Sequence, residues 1–136
     1  MTTLANAQPR AYQIGDHEDY PVIASEIIYE GAAVGENASG YARPLVAGDP
    51  FLGFATATAD NSAGAAGDIT VQVKTRGRIQ LAVTGAVLAS NDRPPCYAAD
   101  DNDFTQTVGA NSLIGSISRF ISTGVAIVEF DAFDKV

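Results

Sequence analysis

In 136 residues the chain has one cysteine, one histidine, one methionine and no tryptophan. A single Cys96 rules out an intramolecular disulfide, so the fold has to rest on its core. One His and one Cys cannot assemble a zinc set. A Ser–His–Asp or Cys–His device would have to use His17, which sits between Asp16 and Glu18 in a polar stretch and reads as a surface histidine. There is no Gly-x-Ser-x-Gly elbow. Cations are scarce as well. Eight Lys and Arg face sixteen Asp and Glu, a formal net charge of −8. That balance opposes nucleic-acid binding and repels anionic membrane surfaces. No segment approaches the roughly 20 apolar residues of a membrane span. No apolar run follows a basic start, so a soluble protein made in a cytosol is expected. No helical periodicity of 10–15 residues separates the strand patterns, which excludes alternating strand–helix units.

What the chain does have is short β patterns punctuated by glycine. The hydrophobic fraction is 46%, enough for one domain with its own core. Ile69, Val71 and Val73 alternate with Thr70, Gln72 and Lys74. Beyond Gly77, Ile79, Leu81 and Val83 alternate with Arg78, Gln80 and Ala82. Period-two alternation means strands with one buried face. Gly77 is expected to mark a bulge or bend that lets one ribbon serve two parts of the fold. Strand signals also cover Val22 to Tyr29, Tyr41 to Arg43 with Pro44 at an edge, Phe51 to Thr58, Tyr97 and Phe104 to Thr107. Asp60 to Asp68 is a loop of small residues, and Ala86 to Asn91 could form one helical turn. The last hairpin joins Leu113–Phe120 to Val125–Phe130 through Ser122-Thr123-Gly124. In its second strand both faces are largely apolar, which predicts cover on both sides by core or by a subunit interface. The fold class is all-β: a small antiparallel β-barrel or sandwich (residues 21–136) with an extended N-terminal arm (residues 1–20).

The remaining polar groups are read as follows. Lys74, Arg76 and Arg78 form a solvated strand face. Cys96, in Pro94-Pro95-Cys96-Tyr97, is a buried structural thiol without a nearby base. Asp100, Asp101 and Asp103 make a tight acidic turn. Counted from Asp101 as a calcium loop, the sixth and twelfth positions are Gln106 and Ser112, so the pattern fails. Gly64-Ala65-Ala66-Gly67 is followed by Asp68 and a strand, which does not fit a phosphate-binding loop. No catalytic residue, metal or cofactor is expected.

The ordered set Gly31-Ala32-Ala33-Val34-Gly35, Gly48-Asp49-Pro50-Phe51-Leu52-Gly53-Phe54-Ala55, Ala66-Gly67-Asp68, Val83-Thr84-Gly85, Pro95-Cys96-Tyr97, Phe104-Thr105 and Leu113-Ile114-Gly115 leading to Val125-Ala126-Ile127-Val128 resembles the small capsid decoration, or cement, proteins of tailed bacteriophages. The resemblance covers roughly residues 22–132. It implies a non-enzymatic β module on the outer surface of a virion head, synthesised in the host cytoplasm. Such a module would bind the major capsid protein as a homo-oligomer, commonly a trimer, with no nucleic-acid or membrane partner. The chain departs from the family at residues 1–20, which are longer and more acidic than expected. Alternatives from other classes are a tail, baseplate or receptor-binding virion module, and a small hydrolase working through carboxylates such as Asp100, Asp101 and Asp103.

The expected interface residues are Tyr12, Ile14 and Tyr20 in the arm and Val125 and Ile127 on the last strand. The arm is either a frayed terminus or a segment that orders on a neighbour. On this reading, deleting residues 1–20 leaves the body folded and weakens capsid binding; unchanged occupancy on the shell would remove the arm from the interface.

Overall fold

The structure, a computed structural model, describes residues 5–11 and 15–132. It is all-β, with two bodies that share one chain crossing. The first body is a five-stranded sheet of β1 (His17–Pro21), β3 (Ala33–Glu36), β4 (Ala42–Pro44), β5 (Phe51–Ala55) and β7 (Thr70–Lys74), in the order β1-β7-β5-β3-β4. A small pair, β2 (Glu26–Ile28) with β6 (Ala59–Asn61), lies beside it. The second body is a closed barrel in the order β10-β8-β12-β11-β9. Its strands are β8 (Arg76–Thr84), β9 (Pro95–Ala98), β10 (Phe104–Thr105), β11 (Ser112–Ser122) and β12 (Val125–Asp131). All strand pairs are antiparallel except β10 with β8, and the isolated bridge of Val22 to Ala42 is parallel too. Closing the barrel removes exposed strand edges there.

The first sheet also nearly closes. Just past β1, Val22 bridges to Ala42 of the opposite edge strand, and the Ile23 N–H donates to the Ala42 carbonyl at 2.9 Å. Inside this curl lie Val22, Ile28, Val34, Ala42, Val71 and Val73, all buried. Pro44 lies on the outermost strand, where its missing N–H costs no ladder bond.

The expected bend is present two residues before Gly77. β7 belongs to the first sheet and β8 to the barrel, so the ribbon changes body at Thr75. Gly77 follows at φ 148°, a backbone conformation that disfavours any side chain. Thr75 is fully buried and held through its backbone: its N–H donates to the Asp16 carbonyl and its carbonyl accepts from Ala132.

Three local readings change. Residues 17–20, assigned to the arm on composition, make up most of β1, which pairs with β7 from His17↔Lys74 to Pro21↔Thr70. A deletion through residue 20 therefore removes an edge strand, not merely an arm. Asp60 and Asn61, expected in a loop, pair with Ile27 and Glu26. The helical turn is a 3-10 turn at Leu88–Asp92.

β11 reaches its partners because it carries a glycine. A Cβ on Gly115 would run into the backbone carbonyl of Glu129 on β12, next to the register shift between Leu113 and Gly115. Gly115→Ala should therefore cost about 1–3 kcal/mol in a denaturant melt, as overpacking does. Gly15→Ala, where the added carbon would meet only the Arg76 guanidinium at 3.5 Å, should stay within about 0.5 kcal/mol. Equal effects of the two would contradict the close approach of β11 and β12.

Candidate interaction surface

The acidic turn serves the fold chiefly through its backbone. The Asp100 carboxylate accepts from the Asn102 N–H at 2.8 Å, and the Ala99 N–H donates to the Asp103 carbonyl at 2.8 Å. The Asp101 carbonyl accepts from Ala33 of β3 at 2.9 Å, and Asp100 forms a β-bridge with Val46. The turn thus joins the barrel to the first sheet. Burial, with the neighbouring Asp100 charge, raises the Asp101 carboxyl above its ordinary value. Among the described residues no group of three or more His, Cys, Asp or Glu could hold a metal ion.

A second clip lies beside it. Arg43 donates to both Asp49 carboxylate oxygens, at 2.9 and 2.8 Å, and the Val46 N–H donates to one of them at 3.1 Å. The Ser112 hydroxyl accepts from the Gly48 N–H and donates to the Asp49 carbonyl at 2.6 Å. A Cβ on Gly35 would strike the Asp49 side chain, so that glycine makes room for the clip. Asp49 therefore fixes its own turn and ties it to the start of β11.

The His17 Nδ1–H donates to the Asp16 carboxylate at 2.9 Å. That bond holds the Asp16 carboxyl below its ordinary value. Lys74, Arg76 and Arg78 are exposed, as the strand alternation requires. They also line one wall of an open groove of about 920 Å³ whose other walls include Asp16, Glu129 and Asp131, with Pro95 and Leu113. Arg78 reaches Glu129 across the strands at 3.3 Å. The groove carries three cations and three carboxylates, so it has no formal charge preference.

Of the expected interface residues, Tyr12 and Ile14 lie outside the described residues. Tyr20 is half-buried and packs against the core of the first sheet, so part of its ring serves the fold. Burial raises its phenol above the ordinary value. Val125 and Ile127 are brought together on the outer face of β12, both half-buried. Val125 is flanked by Ala82 and Ser122, and Ile127 by Gln80 and Arg119. Only one face of β12 meets core: Ala126, Val128 and Phe130 are buried, while Glu129 on the other face is exposed.

Inspection of the barrel end above Val125 adds residues that the strand patterns do not mark. β8, β10 and β11 all finish at this end, and β12 starts there. Val87 and Leu88 stand 49% and 70% exposed on the 3-10 turn and the residue before it, and Ile121 is 38% exposed at the end of β11. The turn is pinned. The Ser90 hydroxyl accepts from the Val87 N–H and the Gln106 amide, and the Asn91 side-chain oxygen accepts from the Phe120 N–H at 2.8 Å. The available signal was a gap in charge: residues 79–91 and 120–128 contain no ionisable side chain, in a chain that is 18% charged.

Family-model and curated-protein comparisons return no match to this chain. Among the described residues no helix is long and apolar enough to cross a membrane.

Cys96 is fully buried in the barrel core, and burial pushes its thiol from an ordinary value of 9.0 up to about 12. It should resist alkylation in the native state and react on unfolding. The raised value also sets an alkaline slope. Above pH 9 the unfolded thiol ionises while the folded one stays protonated, so stability falls as pH rises toward 12. The slope is about 1.4 kcal/mol per pH unit. Denaturant melts of wild type and Cys96→Ala across that window should diverge, with the variant losing less; parallel pH curves would show that the thiol ionises freely in the folded state.

Proposed function

We propose that this chain is a non-enzymatic structural protein that binds the outer surface of a tailed-phage head, bridges major capsid subunits and acts as a homo-oligomer. The observation that carries the reading is how the side chains are deployed. Asp100, Asp101 and Asp103, which a carboxylate hydrolase would need, lie in a turn whose backbone ties the two bodies together. The body also exposes a group of large apolar side chains, Val87, Leu88 and Ile121 at one barrel end, next to the half-buried outer face of β12 at Val125 and Ile127. A rigid β body presenting apolar groups suits binding better than turnover. The ordered resemblance to capsid decoration proteins over residues 22–132 points the same way. Many copies on a symmetric shell multiply contacts, so each copy needs only modest affinity.

In this reading the segment before β1 supplies part of the capsid contact. Residues 5–11 are exposed and carry no regular structure, and the first described contact with the body is the Asp16 carbonyl on Thr75. A truncation lacking residues 1–15 spares β1 and separates binding from folding. The full chain should pellet with purified heads of the parent phage to a saturating ratio. The truncated chain should keep its circular-dichroism spectrum and bind more weakly. Failure of the full chain to pellet at any concentration would overturn the capsid reading; binding to isolated tails instead would replace it with a tail or baseplate role.

A further inference from the structure

We propose that the uncharged barrel end around Leu88 is where copies of this chain meet. The first argument is electrostatic. Each copy carries a formal charge of −8, so two copies repel wherever their acidic surfaces approach. The end built from residues 79–91 and 120–128 has no ionisable side chain. Asp92 closes the 3-10 turn, and the end is flanked by Arg93 and Arg119, two of the chain's eight cations, both exposed. Among the described residues neither takes part in an ion pair. A second copy is thus not repelled at the centre, and its acidic surface is attracted at the rim.

The second argument is shape and rigidity. Leu88, Val87 and Ile121 are exposed large apolar side chains, and the hydrogen bonds from Val87 and Gln106 to Ser90 and from Phe120 to Asn91 hold the turn that presents them. A preorganised apolar patch loses little freedom on binding. The patch runs on to Val125, half-buried beside Ala82 at the start of β12. Contacts between the barrel and the first sheet lie at the other end, at Thr75, Asp100, Asp101 and Ser112. Among the described residues this end is therefore free of inter-body contacts.

The inference shares the homo-oligomer with the proposed function but rests on exposure and charge, so the two are tested separately. Light scattering on the full chain should give an oligomeric mass that persists in high salt, as an apolar contact requires. Leu88→Asp should reduce that mass to the monomer while keeping the circular-dichroism spectrum of the folded chain, because within one copy the side chain is mostly solvated. Ala24→Asp, an exposed control in the other body, should leave the oligomer intact. Should Leu88→Asp unfold, Leu88→Ser combined with Ile121→Ser should still make the mass dependent on concentration. A wild-type monomer at all concentrations, or an oligomer that survives Leu88→Asp, would overturn the proposal. So would a Leu88→Asp oligomer that has lost head binding, since the patch would then face the capsid. An oligomer dissolved by Leu88→Asp supports the proposal even if neither form pellets with heads; only the capsid reading then fails.

Discussion

The two bodies are held in one arrangement by four aromatic rings. Phe51 and Phe54 come from β5 of the first sheet, Phe104 and Phe130 from the barrel. Phe54 is the centre: its ring lies 4.9 Å from Phe130, 5.4 Å from Phe51 and 5.9 Å from Phe104, the first two edge-on. Edge-to-face pairs of this kind add about 0.5–1.5 kcal/mol each beyond the area they bury. Four of the chain's six phenylalanines are used here, in a chain whose other apolar residues include many alanines that bury little. The crossing at Thr75, the Asp100–Asp101 turn and the Ser112–Asp49 clip all gather around the junction that these rings fill.

That junction depends on a backbone irregularity. In a regular strand Phe51 and Phe54, three residues apart, point to opposite faces. Here the register between β3 and β5 slips between Val34 and Gly35, and Gly53 adopts φ 133°. The slip turns both rings to the barrel side, while Leu52 and Ala55 join the core of the first sheet. A Cβ on Gly53 would strike the Lys74 carbonyl of β7, so the glycine permits both the bend and the close strand.

These details mark the boundary of what was legible in the sequence. Alternation from Ile69 to Val83 reports which side chains are buried, and it does so through two strands in different bodies. It cannot report that the strands part company at Thr75, because burial at 71, 73, 79 and 83 reads alike in either sheet. The closing hairpin was legible because its turn and its flanking strands agree. The start of the first body was not. Glu18 and Asp19 suggest solvent, yet an edge strand tolerates them, since β1 lies at the rim of its sheet and Asp19 points outward. The Phe51–Phe54 spacing conflicts with period two, and only the bulge resolves it. Of the expected interface, Val125 and Ile127 do share one outer face. Val87 and Leu88 escaped notice because apolar residues beside a turn look like core until the turn is seen to project.

Exposed leucine and valine are an association hazard, and surfaces normally dilute them with charge. Around Leu88 the charges sit only at the rim, with Asp92 and Arg93 at the close of the same 3-10 turn. The chain keeps sixteen carboxylates against eight cations, with acids on β1, in the Asp100–Asp103 turn and along the outer face of β12 beyond Ile127. General repulsion limits indiscriminate sticking, and the uncharged end is exempt from it. A cluster of apolar side chains at one end of a rigid barrel, on a molecule that otherwise repels its own kind, restricts contact between copies to few orientations. Closed assemblies need that restriction, because a patch able to pair in many ways builds open aggregates instead.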